Sequence, residues 1–173
     1  VDKNYKIVAT AKRKTLTERS NEEIINDMAA AALEAIENAG LKVADIESAG
    51  VGSPGSIDPD NGIVVYTNNI GFKNVHLAEL LKEKTGIDFF VDNDANSAAY
   101  GEFLAGAGKG TKDFVMITLG TGVGGGVIID GKIYTGFNYA GAELGHTVIQ
   151  MDGEHCSCGR QGCWEAYASA TAL

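Results

Sequence analysis

Proline is nearly missing from this chain, with two residues in 173, while glycine reaches 23. The glycines cluster instead of spreading, which marks functional loops and excludes a low-complexity, disordered chain. Basic residues are also scarce. Fourteen Lys and Arg stand against 23 Asp and Glu, a formal net charge of −9. That balance argues against nucleic acid or an anionic membrane surface as the main partner. No apolar run approaches the roughly 20 residues that span a bilayer, and no secretory signal opens the sequence. Cysteines number only three. Cysteines kept as a metal set would suggest a reducing, cytoplasmic setting. An initiating Met is lacking too. The chain opens at Val1-Asp2-Lys3-Asn4-Tyr5, which reads as a strand tail entering a hairpin turn, and stops inside an apparent helix, Trp164 to Leu173. The expectation is a fragment without its first strand and its last third. A hydrophobic share of 45% is enough for one domain with a good core or two small lobes.

What is present is concentrated in residues 143–165, which hold all three cysteines, as Cys156-x-Cys158-x-x-x-x-Cys163, and His146 ten residues upstream of the first. One imidazole and three thiolates form a complete tetrahedral zinc set. Gly159 and Gly162 allow the turns that such convergence needs. His155 is the alternative nitrogen ligand, disfavoured because it adjoins Cys156. A disulfide with one spare thiol is the non-metal alternative.

The rest of the chain alternates strands and helices. Ile7–Thr10 reads as a strand. Ser20 with Glu23 forms a capping box for a helix carrying Ile24, Met28, Ala32 and Ile36 on one stripe and stopping at Gly40. Strands are expected at 46–51, 63–66 and 89–91. A second helix runs between Asn74 as cap and Gly86 as stop, with Leu77, Leu80 and Leu81 inward, and a third, small-residue helix ends near Ala105. A glycine-rich composition shift at 106–112 suggests a lobe boundary, giving a small α/β lobe over 1–107 and the start of a larger lobe over 108–173. Further strands are expected at 114–119, 127–129 and 132–134, the last two joined by the hairpin turn Asp130-Gly131. The fold class is α/β with mixed sheets.

Three loops could carry chemistry. Gly120-Thr121-Gly122-Val123-Gly124-Gly125-Gly126 follows a strand, and such a loop can aim several backbone N–H groups at a phosphate. It is neither a Walker loop nor a dinucleotide fingerprint, and a tight strand-to-strand bend accounts for it equally well. Asp92-Asn93-Asp94 closes a buried strand, at the sheet edge where α/β proteins bind ligands. A carboxylate there can take a proton from a hydroxyl, although Asp94 could merely cap the next helix. Glu143 and His146 share one face of a helical turn, and Glu165 lies two residues beyond Cys163. A metal clip would hold these groups around one hydroxyl-rich ligand. The plainer alternative is a structural metal loop with idle glutamates.

Gly141-Ala142-Glu143-Leu144-Gly145-His146 followed by Cys156-Ser157-Cys158-Gly159-Arg160-Gln161-Gly162-Cys163-Trp164-Glu165 resembles the signature of the ROK family of sugar kinases and repressors. The segments at 52–55, 69–72, 91–96 and 119–126 are similar to ROK glucokinase segments in the same order. The resemblance implies an actin-like, hexokinase-type, two-lobed ATPase fold, incomplete in this chain. It implies ATP-dependent phosphorylation of a hexose at its 6-hydroxyl, with Mg-ATP as donor and Asp94 as general base. Gly55, Asn69, Asn93, Asp94, Glu143, His146 and Glu165 would hold the sugar. Gly120, Thr121, Gly122 and Gly124 would serve the nucleotide phosphates, and His146, Cys156, Cys158 and Cys163 a structural zinc. Glucose is the first expectation; fructose, mannose and N-acetylmannosamine also fit. The family's opening Asp-x-Gly-Gly-Thr phosphate motif is absent, so the segment by itself is expected to be inactive. The full-length protein is expected to be a cytoplasmic homo-oligomer, dimer or tetramer. The alternatives are a sugar-responsive repressor of the same family, with its helix-turn-helix outside this chain, and a zinc-stabilised carbohydrate-binding module.

Overall fold

The computed structural model describes residues 1–67 and 69–172, which form two compact units, one through Asn93 and one from Asp94. In the first, Ser20 caps α1 (Asn21–Asn38), and its hydroxyl accepts the Glu23 N–H while the Glu23 carboxylate accepts the Ser20 N–H. Both orphan donors of the first turn are thereby satisfied. The buried face of α1 is Ile24, Ile25 and Ala29, with Met28 packed beside them, while Ala32 and Ile36 are half-buried. Strand β1 (Ala49–Ser53) pairs in parallel with β5 (Phe89–Asn93), in register from Ala49–Phe89 to Ser53–Asn93. Between them in sequence lies an antiparallel meander of β2 (Ser56–Asp58), β3 (Ile63–Tyr66) and β4 (Lys73–Val75), followed by α2 (Leu77–Thr85). Phe72, Leu77, Leu81, Val64 and Val91 are fully buried where these elements meet α1. Each such side chain contributes on the order of 1.5–3 kcal/mol by leaving water.

Several expected elements differ. Residues 7–10 form no strand, because β1 and β5 pair only with each other among the described residues. The turn ahead of them is real: the Asp2 carboxylate accepts the Asn4 and Lys6 N–H groups. Asn74 does not cap α2. It lies in β4 with φ +51, and His76 occupies the cap without a side-chain bond. Gly86 does end α2, in the left-handed conformation with φ +78.

In the second unit α3 (Asp94–Ala105) packs across one face of the antiparallel β6 (Phe114–Leu119) and β7 (Val123–Ile129), with β8 (Lys132–Ile133) at the edge. Gly126 makes this approach feasible, since a Cβ there would run into the Ala99 methyl. Because α3 lies on β6 and β7, the structural division falls after Asn93, ahead of the boundary that the composition shift suggests. Asp130 (φ +52) and Gly131 (φ +76) form the expected hairpin turn. From residue 134 on, regular structure is sparse: a 3₁₀ turn at Leu144–His146 and the short α4 (Glu165–Ala168). The expected final helix is thus one turn long, and its last residue, Leu173, lies outside the described residues. Among the described residues no helix is long and apolar enough to cross a membrane.

Candidate functional site

Residues 146–163 fold so that sulfur and nitrogen donors converge. The 3₁₀ turn presents His146. The bridge between Val148 and Cys163 and the Trp164 N–H bond to Thr147 O (2.9 Å) bring the cysteine loop back against it. Gly159 (φ +86) and Gly162 (φ +78) supply left-handed turns inside the loop. The donor atoms of His146, Cys156, Cys158 and Cys163 all lie within 4.8 Å of one another. Cys156 Sγ is 3.6 Å from His146 Nδ1, and Cys158 Sγ is 3.6 Å from Cys163 Sγ. Donors bound to one tetrahedral zinc at about 2.3 Å (sulfur) and about 2.0–2.1 Å (nitrogen) stand about 3.8 Å (S···S) and about 3.6 Å (S···N) apart. The set therefore fits zinc, whereas a disulfide needs about 2.05 Å. His155 is elsewhere, its Nε2 3.3 Å from Gln161 Nε2. The loop also tunes its thiols. The backbone and then the guanidinium of Arg160 stabilise the Cys158 thiolate, lowering its pKa to about 6, whereas burial pushes Cys163 up to about 11. Arg160 also donates to the His146 carbonyl at 3.0 Å, a positioning role that its sequence position does not reveal.

Glu165 opens α4 directly beyond this loop. Its Oε2 accepts the Val123 N–H at 2.9 Å, and its Oε1 accepts the Ser157 hydroxyl at 3.2 Å. A Cβ on Gly122 would collide with that carboxylate. The glycine run thus has several purposes. Gly124 leaves room for Thr118 and for Ala95 of α3, Gly125 for Leu144, and Gly126 for Ala99. None of them has a positive φ, so close approach explains these glycines. Gly120 donates within the loop to Gly122 O at 2.9 Å, and Val123 is engaged by Glu165. Among the described residues, the Thr121 and Gly122 N–H groups have no backbone or side-chain acceptor, so they are the donors the loop can offer a ligand.

The parallel register of β1 and β5 sets their carboxyl ends side by side, with Gly52 beside Asp92 and Ser53 beside Asn93. The Asn93 amide donates to Gly55 O at 3.3 Å. Gly55 has φ +96, and a Cβ there would overlap the Tyr66 carbonyl, so only glycine fits. Asn69 is exposed on the turn that Thr67 and Phe72 close through paired backbone and hydroxyl bonds of 3.0 and 3.2 Å. Asp94 is exposed as the first residue of α3. Its Oδ1 accepts the Ala95 N–H at 2.9 Å, and Oδ2 has no partner among the described residues. Glu143 is exposed and occupies the cap position of the 3₁₀ turn. In the first unit the amides of Asn69 and Asn93, and in the second the carboxylates of Asp94, Glu143 and Glu165, are groups suited to hydroxyl-bearing ligands.

The mixed α/β architecture, with its glycine loop after β6, is that of an actin-like ATPase fold of the glucokinase and hexokinase type. Residues 1–173 match the ROK family, and the chain belongs to it. A glucokinase from Thermotoga maritima is 45% identical over 177 residues, covering 100% of this chain and 53% of the relative. A ROK family glucokinase from Streptomyces griseus, solved in complex with glucose and AMPPNP, superposes with a TM-score of 0.83 at 40% identity. That match covers 99% of this chain and 53% of the solved one. A xylose repressor from Bacillus subtilis is 41% identical over 124 residues, 72% of this chain and 32% of the repressor. The chain spans about half the length of the two kinases.

Proposed function

We propose that this chain is the sugar-reading part of an ATP-dependent hexose kinase, which transfers the γ-phosphoryl group of Mg-ATP to the 6-hydroxyl of glucose. The observation that carries the reading is the extent of the likeness to the Streptomyces griseus enzyme, a glucokinase holding glucose and a nucleotide analogue, over nearly the whole chain. In this reading Asn69, Asn93, Glu143, His146 and Glu165 bind the ring hydroxyls, Gly55 lines the pocket, and Asp94 aligns the 6-hydroxyl and takes its proton as the oxygen attacks phosphorus. The exposed carboxylate with one oxygen unengaged supports that role for Asp94. Phosphoryl transfer depends mostly on positioning and charge stabilisation. Gly120, Thr121, Gly122 and Gly124 line the phosphate side, with the Thr121 and Gly122 N–H groups as donors. Zinc on His146, Cys156, Cys158 and Cys163 is structural: four protein donors fill a tetrahedral shell and leave no position for water. A cytoplasmic location and a homo-oligomer, dimer or tetramer, belong to the same proposal.

The test is hexose-dependent ADP formation by the full-length protein. Asp94→Asn should lower kcat by about 10²–10⁴-fold, the range of a lost general base, without changing zinc content. A loss below tenfold would remove Asp94 from the role. The likeness to a xylose repressor supports a second reading, a sugar-responsive regulator. Sugar-dependent DNA binding without ATP turnover would favour it.

A further inference from the structure

Ser157 lies between two clustered cysteines and is not among the four converging donors. Its hydroxyl reaches Glu165 Oε1 at 3.2 Å, while Glu165 Oε2 holds the Val123 N–H at 2.9 Å. Two further bonds tie the glycine loop to the same segment. The Ala170 N–H donates to Gly120 O at 2.8 Å, and the Thr171 hydroxyl donates to Thr121 O at 2.8 Å. Gly122 lies against the same group, since a methyl group there would displace the Glu165 carboxylate from its present place. We propose that Ser157 is a positioning residue that fixes the Glu165 carboxylate and, through it, couples the sugar-reading side of the site to the loop that offers N–H groups to phosphate. The inference rests on the hexose kinase reading.

A single hydrogen bond from Val123 to one oxygen is a weak restraint on the last torsion of Glu165, which is broad and has no strong preferred well. A donor on the second oxygen removes that freedom. Each oxygen accepts two hydrogen bonds, so one lone pair on each remains for a ligand hydroxyl. Without Ser157 the carboxylate turns, its free lone pairs lose their aim, and the Val123 anchor that shapes the loop loosens.

The experiment compares Ser157→Ala and Ser157→Thr with wild type in the full-length, zinc-loaded protein. Glucose binding is followed by calorimetry, steady-state kinetics are measured in glucose and in ATP, and zinc content is determined for each variant. Ser157→Ala should weaken glucose binding about three- to tenfold, the loss of one partly solvated, charge-assisted hydrogen bond. The effect should fall on KM more than on kcat, with a smaller rise in KM for ATP and unchanged zinc. Ser157→Thr, which keeps the hydroxyl, should recover most of the affinity. Wild-type affinity in the Ala variant, equal impairment in both variants, or zinc loss in step with affinity would each overturn the role. A wild-type protein that binds glucose without turning over ATP refutes the kinase reading, while the binding arm still decides on Ser157. Failure of wild type to bind glucose refutes both.

Discussion

Gly162 sits at φ +78, and a Cβ there would overlap the Gln150 carbonyl. Gly159, three residues earlier, has φ +86 but open space around it. The pair separates two costs. Gly159→Ala meets only the left-handed penalty, about 1–2 kcal/mol, whereas Gly162→Ala adds a backbone clash and should cost about 2–4 kcal/mol in all. Thermal unfolding of the two variants measures the difference, and zinc content should fall in Gly162→Ala alone. Equal Tm values would show that the loop relaxes around the new methyl. At this scale the sequence was informative where chemistry is rare. Three cysteines and a histidine have few other uses in such a pattern, and the structure brings those four donors together. Ser157 and Arg160 stayed hidden, because serine and arginine are common surface residues and their partners, Glu165 Oε1 and the His146 carbonyl, are defined only by the folded loop.

Among the elements, α1 was the most legible, because its start rests on a local, reciprocal interaction. The Ser20 hydroxyl and backbone hold the Glu23 carboxylate below its ordinary pKa. A depressed folded-state pKa contributes stability that is present above the unfolded value and lost as pH falls through the folded one. Ser20→Ala should therefore lower Tm at neutral pH, and its gap to wild type should narrow below about pH 4, where glutamate protonates. A gap that is constant across that range would assign the cap to the serine bond alone. Elements that depend on distant partners were less legible. Residues 7–10 have strand-forming side chains but, among the described residues, no strand that pairs with them. Asn74 is no cap because it lies inside β4, whose Lys73 and Val75 pair with β3, and the helix starts only at Leu77. The glycine run suggests N–H donors, yet most of its glycines answer to α3, Leu144 and Glu165. Those neighbours are remote in sequence, so no local pattern announces them.

Across the whole molecule the two units are held differently. The first has a contiguous buried core from α1 through Val91. In the second, the buried hydrophobic residues among those described are few: Ala99, Val123, Ile128 and two of the clustered cysteines. A region short of apolar burial relies on cross-links, and the free energy of a structural metal site is largely folding free energy. Removing the metal with a chelator should therefore act on one unit selectively. Amide exchange should accelerate through 143–171 and, by way of Glu165, Ala170 and Thr171, through the glycine loop at 120–123. Protection in α1 and α2, which carry the buried core of the first unit, should be retained. If the hexose kinase reading holds, glucose affinity should fall as 143–171 loses order, because the proposed sugar ligands Glu143, His146 and Glu165 lose their common frame. Uniform acceleration over the whole chain would mean that the metal controls global stability. Unchanged exchange at 120–123 would sever the route through Glu165, and with it the reason the glycine loop and the cysteine loop are joined.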